Sequence, residues 1–134
     1  MKTYQEFITE DSSTDTLAEL KKIADKFKAD LSRVVGSDFI VDCYADIPFS
    51  KPWLHIEVYG KNPPSGRPQQ SNVWINFAIR VTDLQSPVSI SNDLVKHNYG
   101  FSNIEAQNIN SGLQKLTDWF RKITPTIKEK LKSK

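Results

Sequence analysis

A chain of 134 residues with 38% hydrophobic and 25% charged residues has the makeup of one globular domain, large enough to bury a core without staples. Its lone cysteine, Cys43, excludes an intrachain disulfide and a zinc site built from several cysteines. The net charge of +2 is small, and no run approaches the roughly 20 apolar residues that span a bilayer, so no membrane association is expected.

That small charge is unevenly spread. Between Met1 and Ser50 ten acidic residues stand against six basic ones, a net of −4. From Ser111 onward seven basic residues, among them Lys128, Lys130, Lys132 and Lys134, face only Asp118 and Glu129, a net of +5. The plainest account is a solvated polar face and a lysine-rich tail, because separation along a chain need not persist in space. The opening MKTYQEFITE lacks the apolar stretch of a secretory signal, so a reducing, cytoplasmic location is expected.

In chain order, Tyr4, Phe7 and Ile8 predict a docked turn of helix. Thr16 with Glu19 then fits a capping box, a hydroxyl followed three residues later by a carboxylate. The helix it would open carries Leu17, Leu20, Ile23, Ala24, Phe27, Leu31 and Val34 on one stripe, and Gly36 is a natural stop.

Strands follow. Residues 38–46 alternate Phe39, Val41, Cys43 and Ala45 with Ile40, Asp42 and Tyr44, and residues 53–59 alternate Leu54, Ile56 and Val58 with Trp53, His55, Glu57 and Tyr59. Between them, the two prolines of Ile47-Pro48-Phe49-Ser50-Lys51-Pro52 limit both strands. The Pro/Gly-rich stretch 60–70 is longer than an ordinary hairpin loop and is a candidate contact through Lys61 and Arg67. Val73, Ile75, Phe77, Ile79 and Val81 then alternate with Trp74, Asn76, Ala78 and Arg80, and this stretch, 71–83, reads as the central strand.

Beyond it the pattern loosens. Residues 87–91 suggest a short edge strand, 92–97 a helical turn and 98–100 a turn. Ser102 or Asn103 would cap a second long helix with the stripe Ile104, Ile109, Leu113, Leu116, Phe120 and Ile123. Gly112 inside that helix suggests close packing, and Pro125 a kink or a new start. The fold class expected is α+β: a single domain, 1–134, with two long helices packed on one face of a three- to four-stranded antiparallel sheet, in the order α-β-β-β-(β)-α.

The order helix, three strands, helix resembles that of double-stranded-RNA-binding domains, which read A-form shape and phosphates. The lysine cluster those domains carry at the second helix is here Ser102-Asn103-Ile104-Glu105-Ala106, and the chain is about twice as long, so the likeness assigns no family.

The alternation divides the sheet into two unlike faces. One is wholly apolar and must be covered by the helices; Cys43 lies on it as a small hydrophobe. The other collects Ile40, Asp42, Tyr44, Trp53, His55, Glu57, Tyr59, Trp74, Asn76, Ala78 and Arg80, richer in aromatics than a merely wetted face. Ordinary cross-strand pairing, or cover by residues 84–99, would account for it structurally.

The reading favours a small binding module, of adaptor or inhibitor type, that docks on a protein. Tyr44, Trp53, His55, Glu57, Tyr59, Lys61, Arg67, Trp74 and Arg80 would form the contact, with self-association as a variant of the same idea. Nucleic-acid binding through the basic carboxyl-terminal helix is the alternative. A third reading is an enzyme or small-ligand binder using Asp42, His55 and Glu57, but no HExxH, nucleophile elbow or phosphate loop is present. No cofactor and no metal site are expected.

Overall fold

The computed structural model describes residues 4–47, 51–61, 66–67, 73–91 and 101–132, with side chains within 16–130. Its elements are α1 (Tyr4–Val35), β1 (Phe39–Asp46), β2 (Trp53–Gly60), β3 (Trp74–Arg80), β4 (Val88–Ile90), β5 (Ile104–Ala106) and α2 (Ile109–Lys132). This is an α+β fold with one antiparallel sheet of three strands and a second of two. Most of the 60–70 loop, residues 48–50 with the first of the two prolines, the first two residues of the 71–83 stretch and the expected turns at 92–100 lie outside the described residues.

Helix α1 runs unbroken for 32 residues, so Thr16 is an interior residue and not a cap. No glycine or proline interrupts residues 4–35. Each Ser or Thr there costs a few tenths of a kcal/mol, about 0.7 at most, and extending an existing helix is easier than nucleating a second one. Leu20, Ala24, Phe27, Leu31 and Val35 form its buried stripe. Gly36 ends the helix at φ +90°, its N–H donating to Ser32 O at 3.0 Å. Lys128 of α2 brings Nζ to within 3.5 Å of where a Gly36 side chain would begin, placing a cation at the negative end of α1.

The three-stranded sheet has the order β1-β2-β3, so β2 is central. The stretch expected at the centre is instead the edge strand β3. A meander puts its middle strand in the middle; the apolar side of β3 is buried in the core beside β4, and its Phe77 meets Trp119 and Phe120 of α2. Gly60 N–H donates to Val73 O at 3.1 Å and Val81 N–H to Pro52 O at 2.9 Å, extending the ladder by one residue at each end of β3. Phe77 is fully buried among Phe101, Trp119 and Phe120, with ring centroids 5.0, 6.0 and 6.1 Å away.

The chain then turns at Asp83, whose two carboxylate oxygens accept Gln85 N–H and the Ser86 hydroxyl, both at 2.8 Å. Those bonds favour the charged form and hold its carboxyl below the usual carboxylate range. The expected edge strand at 87–91 is β4, but its partner is β5, in the register Val88↔Ala106, Ser89↔Glu105, Ile90↔Ile104. Ile104 therefore belongs to a strand. Helix α2 begins later than expected, and Asn108 caps it by accepting the Ser111 N–H at 2.8 Å. Pro125 sits inside α2 without ending it; Thr124, just before it, turns its hydroxyl back onto Phe120 O.

Gly112 marks the tightest contact of α2. A Cβ there would stand 3.0 Å from Val88 Cγ2, 3.3 Å from Ile90 Cδ1 and 3.5 Å from Ala106 Cβ. The bare backbone lets α2 settle on β4 and β5, and α1 packs beside α2 over the apolar side of the large sheet.

Candidate functional site

The strand register arranges the second sheet face as four rows of three: Ile40–Tyr59–Trp74, Asp42–Glu57–Asn76, Tyr44–His55–Ala78 and Asp46–Trp53–Arg80. The residues between them, such as Val41, Ile56 and Phe77, point into the core. Residues 84–91 do not cross this face: they lead into β4, whose Val88 and Ile90 join the core.

Cross-strand bonds organise the rows. Trp74 Nε1 donates to Glu57 Oε2 at 2.7 Å. His55 Nε2 meets Asp46 Oδ1 at 2.9 Å, and its ring lies on Tyr44 with centroids 4.7 Å apart and planes 19° from parallel. Lys28 reaches from α1 to within 3.9 Å of Asp42 Oδ1. Tyr44 at 52% and Ile40 at 37% are the exposed large hydrophobic residues among those described, and both lie on β1 on this face.

Burial, and after it the charges of Asp46, Glu57 and Asp42, push the Tyr44 hydroxyl above its ordinary value. Tyr59 is raised by burial and then by Asp42 and Glu57. A negative field thus reaches both rings, one on each side of the Asp42–Glu57 pair.

Seven of the nine expected contact residues share the face: Tyr44, Trp53, His55, Glu57, Tyr59, Trp74 and Arg80. Lys61 is exposed one residue past β2, its N–H bonded to Asp38 O at 3.0 Å. Arg67 is exposed in the loop, and no strand pairing brings it to the rows. Asp46 was not among the expected contacts, although it is the next outward position after Tyr44 and stands opposite Trp53. The signal that finds it is the two-residue period of β1 carried one step further.

The acid–base trio expected for catalysis divides. Asp42 and Glu57 are direct cross-strand partners, but His55 turns to Asp46 and Tyr44. Among the described residues no three of His, Cys, Asp and Glu are grouped to hold a metal ion. Cys43 is buried, and burial, with Asp42 and Asp25 adding to it, pushes its thiol up to about 12, which keeps it a thiol at neutral pH.

On the opposite side of the molecule a cleft of about 590 Å³ runs between α1 and α2, lined by Asp30, Arg33, Gln114 and Arg121 among others. Its cations are matched within their own helices, Arg33 to Asp30 at 3.3 Å and Arg121 to Asp118 at 3.2 Å. Lys115 donates to Glu105 O at 3.0 Å. No helix among the described residues is long and apolar enough to cross a membrane. Comparison with protein-family models, with curated proteins and with solved structures finds no match for this chain.

Proposed function

We propose that this chain is a small binding module that docks on a partner protein, in the cytoplasm, through the second face of its three-stranded sheet. The observation that carries the reading is the composition of the four rows, which are exposed along most of β1 and half-buried along β2 and most of β3. Tyr44, Trp53, Tyr59 and Trp74 stand interleaved with Asp42, Asp46, Glu57 and Arg80, and both helices lie on the other side. Half-buried aromatics held by cross-strand bonds order few torsions on binding and bury much area, which is what interface centres use. Lys61 and Arg67 supply contacts at the loop end of β2.

A docking role also accounts for the chemistry better than a reaction does. His55 is held by Asp46 and Glu57 by the Trp74 indole, contacts that fix the surface a partner would meet. The basic helix α2 supports a nucleic-acid reading less well, since Lys115, Arg121 and Lys128 have intramolecular roles.

The test is capture of partners from source-cell extract by the intact protein and by Trp53→Ala and Trp74→Ala. A protein retained by the wild type should be lost or weakened about tenfold or more by either change. Retention unchanged in both variants, or capture of nucleic acid alone at low salt, would overturn the reading.

A further inference from the structure

We propose that the element this face takes from its partner is cationic: a protein segment that sets an arginine or lysine over the Asp42–Glu57 row, between the aromatic rows that flank it. The inference rests on the docking reading above and adds the partner's charge to it.

Asp42 and Glu57 are side by side across β1 and β2. The row above them holds Tyr59 and Trp74, and the row below holds Tyr44 and His55. A cation over the carboxylates would therefore be flanked by aromatic side chains in the rows on either side, beside two acceptors for its N–H groups. Glu57 gives one oxygen to the Trp74 indole and retains capacity for further donors. Asp42 is half-exposed, and the Lys28 ammonium stands 3.9 Å from it, an exposed pair that water and an incoming cation can both reach.

The balance of charge selects the occupant. The four rows hold three carboxylates, Asp42, Asp46 and Glu57, against the single permanent cation Arg80 at a corner. His55 is committed to Asp46, and Lys28 reaches in from α1. Burial raises the Tyr44 and Tyr59 hydroxyls most, and the charges of Asp42 and Glu57 add to it on both. A nucleic acid would bring phosphates onto Asp42 and Glu57. A second copy docking face to face would oppose carboxylate to carboxylate. The remaining self-contact would be head to tail, with the basic α2 of one copy on this face of the next, and such contacts continue into rings or filaments.

The experiment follows the three tryptophan indole N–H signals by NMR while a peptide of alternating glycine and arginine is added to the full chain. Trp74, in the row beside the carboxylates, should move most, Trp53, two rows away, less, and Trp119, packed on Phe77 and Phe101 on the core side, should not. Added salt should weaken the response, because the charges are exposed. Asp42→Asn and Glu57→Gln should each weaken it about fivefold or more. Asp42→Asn keeps the test valid if Glu57→Gln disturbs Trp74, and thermal melting of both confirms the fold.

An equal response to the peptide with glutamate in place of arginine would overturn the inference, as would no movement of Trp74, or undiminished affinity in Asp42→Asn. Sedimentation showing concentration-dependent assembly of the wild type that Asp42→Asn abolishes would also overturn it, in favour of a second copy. A natural partner lost in Trp53→Ala but held by both charge variants would leave the docking reading standing and remove only the cation. A partner held by the tryptophan variants would remove the docking reading itself.

Discussion

Trp74 hands its indole N–H to Glu57 across 2.7 Å, fastening the edge strand β3 to the central strand one row away from its own backbone partner Tyr59. This bond fixes the ring's angle to the sheet and aims the Glu57 carboxylate. A hydrogen bond to a charged acceptor contributes about 1.5–3 kcal/mol at most, less where water reaches it. Trp74→Phe, which keeps a ring and deletes the donor, should lower stability by about 1 kcal/mol in urea unfolding. Tyr44→Ala, at the most exposed aromatic of the face, should stay within about 0.5–1 kcal/mol. A loss of several kcal/mol for Tyr44→Ala would mean the protein's own chain needs this face for folding.

Phe77 tests the assignment of faces. It is fully buried and touches three other aromatic rings, so Phe77→Ala should cost about 3–5 kcal/mol, the range for truncating an aromatic in a packed core. Denaturant unfolding with an unchanged slope would show the loss to be one of stability alone.

Gly112→Ala sets two effects against each other. Alanine gains about 1 kcal/mol of helix propensity over glycine. Its methyl would stand 3.0 Å from Val88 Cγ2, and Val88 and Ile90 are buried, β-branched and stiff, so they yield little. Overpacking costs about 1–3 kcal/mol, and the net change should be destabilising by about 1 kcal/mol. In the double variant Gly112→Ala with Val88→Ala the new methyl fills the space vacated. The two changes should therefore cost less together than the sum of the singles, measurable as a double-mutant cycle.

Tyr44 and Tyr59 should hold their protons to higher pH than free tyrosine, and tyrosinate absorbance with Tyr→Phe difference spectra reads each one. Their folded values are raised, so the stability tied to them is fully present below about pH 10, the unfolded value, and is lost as pH climbs through the folded value. Asp42→Asn should bring both hydroxyls part of the way back, since its charge acts on each. An unchanged titration in that variant would mean the carboxylates do not shape the field over the face.

Local patterns in the chain determined a good deal. The two-residue period separated Val41, Ile56 and Phe77 from Tyr44, Glu57 and Trp74, because neighbours on a strand must point to opposite sides. Residues spaced by three and four marked the buried stripe of α1, and Gly36 marked its end. Gly112 announced a close approach. What depended on distant partners was decided only by tertiary structure. The order β1-β2-β3 put the strand with the longest alternation at an edge, since period alone does not say which strand has two neighbours. Three-residue strands are too short to show a period, so β5 hid inside an apparent helical stripe, with Ile104 mistaken for its first member. Weak helix formers around Thr16 looked like a boundary until an unbroken helix carried through them. The pairing of His55 with Asp46 in preference to Glu57 was likewise a matter of register and side-chain reach, which no spacing along a single strand encodes.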